Sequence, residues 1–175
     1  MRDAVSAGIS FNIFNNHCDR VRMANIAQTI NVLQAVILTE GDKMILTPTY
    51  HIFEMFKVHQ DALLQPIELA SSTYKFEEEE VPQLSVSASI DAAGKLNISI
   101  CNTDPRNNAQ VDCDIGGYVS KQVSGRILAS SSMNAHNTFD QPDQVKPEAF
   151  TNVQLNEQGF SADIPPMSVV VLTLE

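Results

Sequence analysis

Residues 84–90, LSVSASI, put Leu84, Val86, Ala88 and Ile90 on one side of an extended chain and three serines on the other. A period of two suits a strand and excludes an amphipathic helix, whose apolar positions return every three or four residues. Leu96, Ile98 and Ile100 form a matching return face. Between the two runs, Asp91-Ala92-Ala93-Gly94-Lys95 reads as a hairpin loop with a glycine available for positive φ. A second turn is expected over Asn102–Asn108, around Asp104-Pro105. Further strands are expected near 110–115, 118–128, 150–155, 158–164 and 168–174, the last of them, SVVVLTL, a buried terminal strand. Residues 129–149 read as a long polar loop. Many short antiparallel strands parted by turns predict a β-sandwich.

Upstream of Gln65-Pro66 the pattern is different. Residues 3–17 predict a helix, with Asp3 placed to cap its first turn and Val5, Ile9 and Ile13 on one face. Ala4, Ala7, Gly8, Phe11 and Phe14 widen the apolar surface, so cover on more than one side is expected. Residues 21–28, VRMANIAQ, run apolar without alternating, as a strand buried on both faces of a parallel sheet would. Residues 32–38 fit helix or strand equally, and Thr39-Glu40-Gly41-Asp42 is a turn. Thr47-Pro48 is a helix start, with Thr as cap and Pro in the first turn, opening a helix over about 48–60. Helix, strand, long loop and helix make a piece of an α/β fold too small to stand as one. The expected organisation is therefore residues 1–65 as the end of an α/β unit and residues 66–175 as a sandwich, mainly β overall.

The net charge of −10 argues against a nucleic-acid partner, which would need clustered Lys and Arg. No apolar run approaches the ~20 residues that cross a bilayer, so no membrane partner is expected. No basic stretch leads into an apolar core as in a signal peptide, and the compartment is left open between cytoplasm, periplasm and exterior. Cys18, Cys101 and Cys113 are too few and too scattered for a disulfide framework and read as free thiols, with a Cys101–Cys113 pair as the alternative. Asn97-Ile98-Ser99 fits the glycosylation pattern but lies inside an expected strand.

Candidate chemistry is sparse. His51 and Glu54 have metal-ligand spacing on a helix, but zinc needs at least three protein ligands and nothing completes the set. Glu77–Glu80 is a solvated acidic run rather than a metal site. Glu40 and Asp42 follow the expected strand, where a barrel enzyme keeps catalytic groups, yet Gly41 and Lys43 beside them describe an exposed turn. No catalytic residue is assigned, and no metal or other cofactor. The apolar run 23–27 ends on Gln28, Thr29 and Asn31. Gln28 is the one binding candidate, since an amide offers two donors and an acceptor at a strand end. Its equal alternative is a side chain capping local backbone.

Several longer strings carry a resemblance. In the first half they are Phe11-Asn-Ile-Phe14, His17-Cys-Asp-Arg20, Val21-Arg-Met-Ala-Asn-Ile-Ala-Gln28, Asn31-Val-Leu-Gln-Ala35, Ile37-Leu-Thr-Glu-Gly41 and Thr47-Pro-Thr-Tyr-His51. In the second half they are Val123-Ser-Gly-Arg-Ile-Leu128, Met133-Asn-Ala-His-Asn-Thr-Phe139 and Pro165-Pro-Met-Ser-Val-Val170. In this order they resemble the α-L-arabinofuranosidases of glycoside hydrolase family 51 over nearly the whole chain. The resemblance implies a jelly-roll-type C-terminal β-sandwich preceded by the last α/β elements of a truncated (β/α)8 barrel. On it, residues 3–17 correspond to the seventh barrel helix, 21–28 to the eighth strand and 48–60 to the last helix. Gln28 corresponds to a glutamine that hydrogen-bonds the arabinofuranose beside the scissile bond.

The same resemblance implies a retaining mechanism with two glutamates on earlier strands, neither of them in this chain. The expectation is a C-terminal portion, inactive alone, of an enzyme that removes terminal α-L-arabinofuranosyl residues from arabinan, arabinoxylan or arabino-oligosaccharides. The family's sandwich also borrows backbone from the enzyme's N-terminus, so an open sheet edge and apolar surface are expected, and with them a homo-oligomer. The rival is a non-catalytic sandwich binding carbohydrate or a protein. Against it stands the absence of Trp and a total of three Tyr, where sugar-binding sandwiches offer aromatic platforms.

Overall fold

The computed structural model describes residues 1–27 and 29–175. It opens with helix α1 (Arg2–Asn16) and the hairpin β1 (Ile37–Glu40) and β2 (Lys43–Leu46). Helix α2 (Pro48–Met55) runs into a 3-10 turn (Phe56–His59). Strands β3 (Leu63–Gln65), β4 (Thr73–Phe76), β5 (Glu79–Pro82), β6 (Leu84–Ile90), β7 (Leu96–Asn102) and β8 (Ala109–Asp114) follow. The chain closes with β9 (Val123–Leu128), β10 (Glu148–Ala149), β11 (Val153–Leu155), β12 (Gly159–Ile164) and β13 (Ser168–Leu174).

The expected β-sandwich forms. One antiparallel sheet has six strands in the order β10-β9-β13-β7-β6-β3, and a second has three in the order β11-β12-β8. The period-two pattern sets the register: Val86 pairs with Ile100, which pairs with Val170. These side chains, with Leu84, Ala88, Ile98, Leu172 and Leu174, face Phe160, Ala162 and Ile164 of β12 across the sandwich core. Phe160 is fully buried.

The opposite face of the large sheet is also covered. Val169 and Val171 of β13, Cys101 of β7 and Leu128 of β9 pack beneath Ala4 and Val5 of α1 and Ile52, Met55 and Phe56 of α2 and its 3-10 turn. The molecule is therefore three layers: helices, a six-stranded sheet, and a three-stranded sheet. Close approach of α1 depends on Gly8, where a Cβ would lie 2.7 Å from Cys101 Sγ and 3.2 Å from Val169 Cγ2. Phe11 bridges the two helices, its ring centroid 4.7 Å from Phe53 and 5.4 Å from Phe56. Thr47 caps α2, accepting from Tyr50 N at 3.4 Å, and Pro48 occupies the first turn.

Three local expectations are corrected. Residues 21–27 form no strand and are largely exposed, because a strand exists only as part of a ladder and no neighbour pairs with this stretch. Asp3 does not cap α1; its carboxylate accepts from Arg2 Nε at 3.3 Å. The expected strand over 118–128 begins only at Val123, since Gly116 and Gly117, both at positive φ, turn the chain after β8 and leave 118–122 irregular. The acidic run Glu77–Glu80 forms the tip and return of the β4–β5 hairpin, where Lys75 pairs with Glu80.

Candidate functional site

The strand-end segment is built by its anchors. Gln28, the candidate sugar contact, lies outside the described residues. On its C-terminal side, Thr29 O accepts from Val36 N and Ile37 N at 3.1 and 3.2 Å, and Ile30 bridges Ile37. Asn31 takes φ 55, a left-handed conformation that asparagine tolerates. Its Nδ2 donates to Thr39 Oγ1 at 2.8 Å and its Oδ1 accepts from Thr39 N at 2.7 Å. Thr47 Oγ1 donates to Ala35 O at 2.9 Å. The polar residues that end the apolar run are thus partly explained: Thr29 and Asn31 fasten the segment to β1 through local backbone, the role that was the alternative for Gln28. On the N-terminal side, Asn25 and Ile26 line a pocket of about 250 Å³ against Ser10, Phe14 and Phe53.

The carboxylates do not assemble into a catalytic pair. Glu40 and Asp42 are exposed at the β1–β2 turn, where Glu40 pairs in register with Lys43 and Gly41 takes φ 59. Glu54 is held by Arg126 of β9 in a two-pronged ion pair of 2.9 and 2.8 Å, and that hydrogen bond keeps its carboxyl below the usual range. His51 has its pKa lowered, chiefly by burial and against the pull of Glu54. Among the described residues no group of three or more His, Cys, Asp or Glu could hold a metal ion. The three cysteines are free thiols; burial pushes the Cys101 thiol up beyond any physiological range. Asn97 and Ser99 of the glycosylation pattern are 1% and 0% exposed, so the triplet is closed to modification in the folded chain.

Two features were not anticipated from the sequence. The first is an open groove of about 880 Å³ between α1 and the β4–β5 hairpin, with Ile9, Ile13, Ile67, Val81 and Val86 among its walls. Tyr74 lines it, and the other sandwich tyrosine, Tyr118, spends its hydroxyl on backbone, donating to Gly94 O at 2.8 Å and accepting from Leu96 N. Neither ring is a free sugar platform. The second is a polar seam under α1, in which Asn12, fully buried, meets the serines of β6 and β7. Its signal was Asn12 amid an apolar helix together with the serine face of 84–90; each is uninformative until the two are known to meet.

A helical layer and a short antiparallel sheet packed on opposite faces of a six-stranded sheet describe an accessory domain rather than a self-contained catalytic unit. The sequence profile of the α-L-arabinofuranosidase C-terminal domain matches residues 1–168, and the chain belongs to that family. It is 39% identical, over its whole length, to an intracellular exo-α-L-arabinofuranosidase of Bacteroides ovatus, of which it spans 34%. The family 51 arabinofuranosidase of Xanthomonas axonopodis pv. citri superposes with a TM-score of 0.96 at 40% identity, over 99% of this chain and 35% of that one. The thermostable family 51 enzyme of Thermotoga petrophila gives 0.86 at 28% identity, over 99% of this chain and 38% of its own. The chain thus spans about a third of the length of the relatives it matches. Among the described residues no helix is long and apolar enough to cross a membrane.

Proposed function

We propose that this chain is the C-terminal third of a retaining α-L-arabinofuranosidase that removes terminal non-reducing arabinofuranosyl residues from arabinan, arabinoxylan or arabino-oligosaccharides. The observation that supports it is the match along the whole chain, at 39% and 40% identity, to enzymes named for that activity. In such a reaction one carboxylate attacks the anomeric carbon while a carboxylic acid protonates the departing oxygen. Water then releases the sugar from the glycosyl-enzyme. Both carboxyl groups would come from polypeptide outside this chain. Residues 1–65 would complete the barrel, residues 66–175 would form the sandwich that supports it, and Gln28 would hydrogen-bond the arabinose.

The test is hydrolysis of an aryl α-L-arabinofuranoside by the polypeptide of the whole reading frame, with and without Gln28→Ala. The substitution is expected to lower kcat/KM about tenfold or more, the worth of one or two hydrogen bonds to substrate. An unchanged kcat/KM removes Gln28 from the site, and an inactive whole polypeptide removes the enzyme reading. The 175-residue chain alone is expected to be inactive and to show no saturable binding of arabino-oligosaccharides; saturable binding would favour a carbohydrate-binding module. Self-association is part of the same reading, supported by exposed Met23, Leu33 and Met44, at 76%, 93% and 63%. A monomer in sedimentation equilibrium would count against it.

A further inference from the structure

We infer that the helical layer is held on the sandwich by an acid-labile latch centred on His59, and that protonating this one imidazole releases α1 from the sheet while the sandwich stays folded. The geometry is a single run of hydrogen bonds. His59 Nδ1 meets Ser89 Oγ at 2.7 Å and Nε2 meets Ser99 Oγ at 3.1 Å. Ser99 Oγ donates to Asn12 Oδ1 at 2.6 Å, Ser87 Oγ donates to the same oxygen at 2.8 Å, and Asn12 Nδ2 donates to Ser85 O at 2.9 Å.

Counting protons assigns the tautomer. With its own proton given to Asn12, Ser99 Oγ must accept from His59, so Nε2 carries the hydrogen. Nδ1 is then a lone pair that accepts the Ser89 hydroxyl. A second ring proton would stand on Nδ1 and face that hydroxyl, forcing Ser89, 4% exposed, to redirect its hydrogen inside the interface. The imidazolium would also lack a counter-charge. Of the elements around it, β6 offers only serines on this face and β7 offers Asn97, Ser99 and the neutral Cys101 thiol. Helix α1 contributes Asn12 and Asn15, and Lys57 on the 3-10 turn is exposed. Glu54 of α2 is bound to Arg126 of β9, with His51 beside them. Asp91, beyond β6, accepts from the Ala93 and Lys95 amides and from Asn97.

Burial accordingly lowers the His59 pKa from 6.5 to about 4. A docked pKa below the free value means that the free state binds the proton more tightly. Docking is at full strength above about pH 6.5 and is lost as pH falls from there through about 4. The sandwich core on the other face is built of apolar side chains, so acid has no equivalent purchase there.

The experiment is hydrogen exchange of the 175-residue chain at pH 7.5 and 5.0, corrected for intrinsic exchange, with peptides from α1 compared with peptides from β7 and β13. The opening constant of α1 is expected to rise about thirtyfold over that interval, from the cited shift, while β7 and β13 hold. His59→Gln, neutral at both pH values, is expected to abolish the rise. The same rise in the variant, or β7 and β13 opening in step with α1, overturns the proposal. Should the variant fail to fold, NMR of the His59 ring in the unaltered chain decides: titration below pH 5 upholds it, and titration near 6.5 overturns it.

Discussion

The two faces of the six-stranded sheet are closed by different chemistry. Toward the three-stranded sheet, Leu84, Ile98, Ile100, Val170 and Leu172 meet Phe160 and Ile164, and every contact is apolar. Toward the helices, the same strands present Ser85, Ser87, Ser89, Asn97 and Ser99, and only β13 and β9 supply an apolar patch. Burial of apolar area is non-directional and tolerates small shifts of one layer over the other. A seam of hydroxyls and amides holds only when each donor meets its acceptor, since an unpaired buried polar group costs the desolvation it has already suffered. The sandwich is thus a core by area, and the helical layer is a docked piece with a defined seat.

Substitutions on each side sharpen the contrast. The largest effect is expected from Phe160→Ala, which empties the centre of the sandwich and should cost about 3–5 kcal/mol in urea denaturation, with all layers unfolding together. Asn12→Ala leaves the Ser87 and Ser99 hydroxyls and Ser85 O short of a partner and should cost about 2–3 kcal/mol. Exchange should rise in α1 before β7; loosening of β7 and β13 to the same degree would mean that the two faces are one cooperative unit. Glu54→Ala breaks the pair with Arg126, but both side chains are substantially exposed, at 36% and 49%. A loss of only about 0.5 kcal/mol is expected in the same denaturation, and a larger one would make that rim contact a main support of α2.

Legibility in the sequence followed the same division. The hairpin of β6 and β7, the terminal strand and the Thr47-Pro48 helix start were all readable, because period, turn chemistry and capping act over a few residues. The segment 21–28 misled for the opposite reason. Its apolar run matches a doubly buried strand, but a strand needs a partner's backbone, and partners are not written locally. Thr29 and Asn31 could be recognised as polar strand-end residues, yet their use as fasteners for β1 appeared only with the bond partners. Glu40 and Asp42 were readable as an exposed turn because Gly41 and Lys43 stand beside them.

By itself the sequence determined the switch from helical to alternating pattern, the apolar side of each sandwich strand, the poverty in catalytic side chains and the family resemblance. The tertiary structure alone decided what the serine side of β6 is for. In a strand of period two the polar side is defined only as the side away from the core. Whether it meets water or another layer depends on what chain returns to cover it. Here α1 and the 3-10 turn return, and Asn12 and His59 convert a row of serines into an interface.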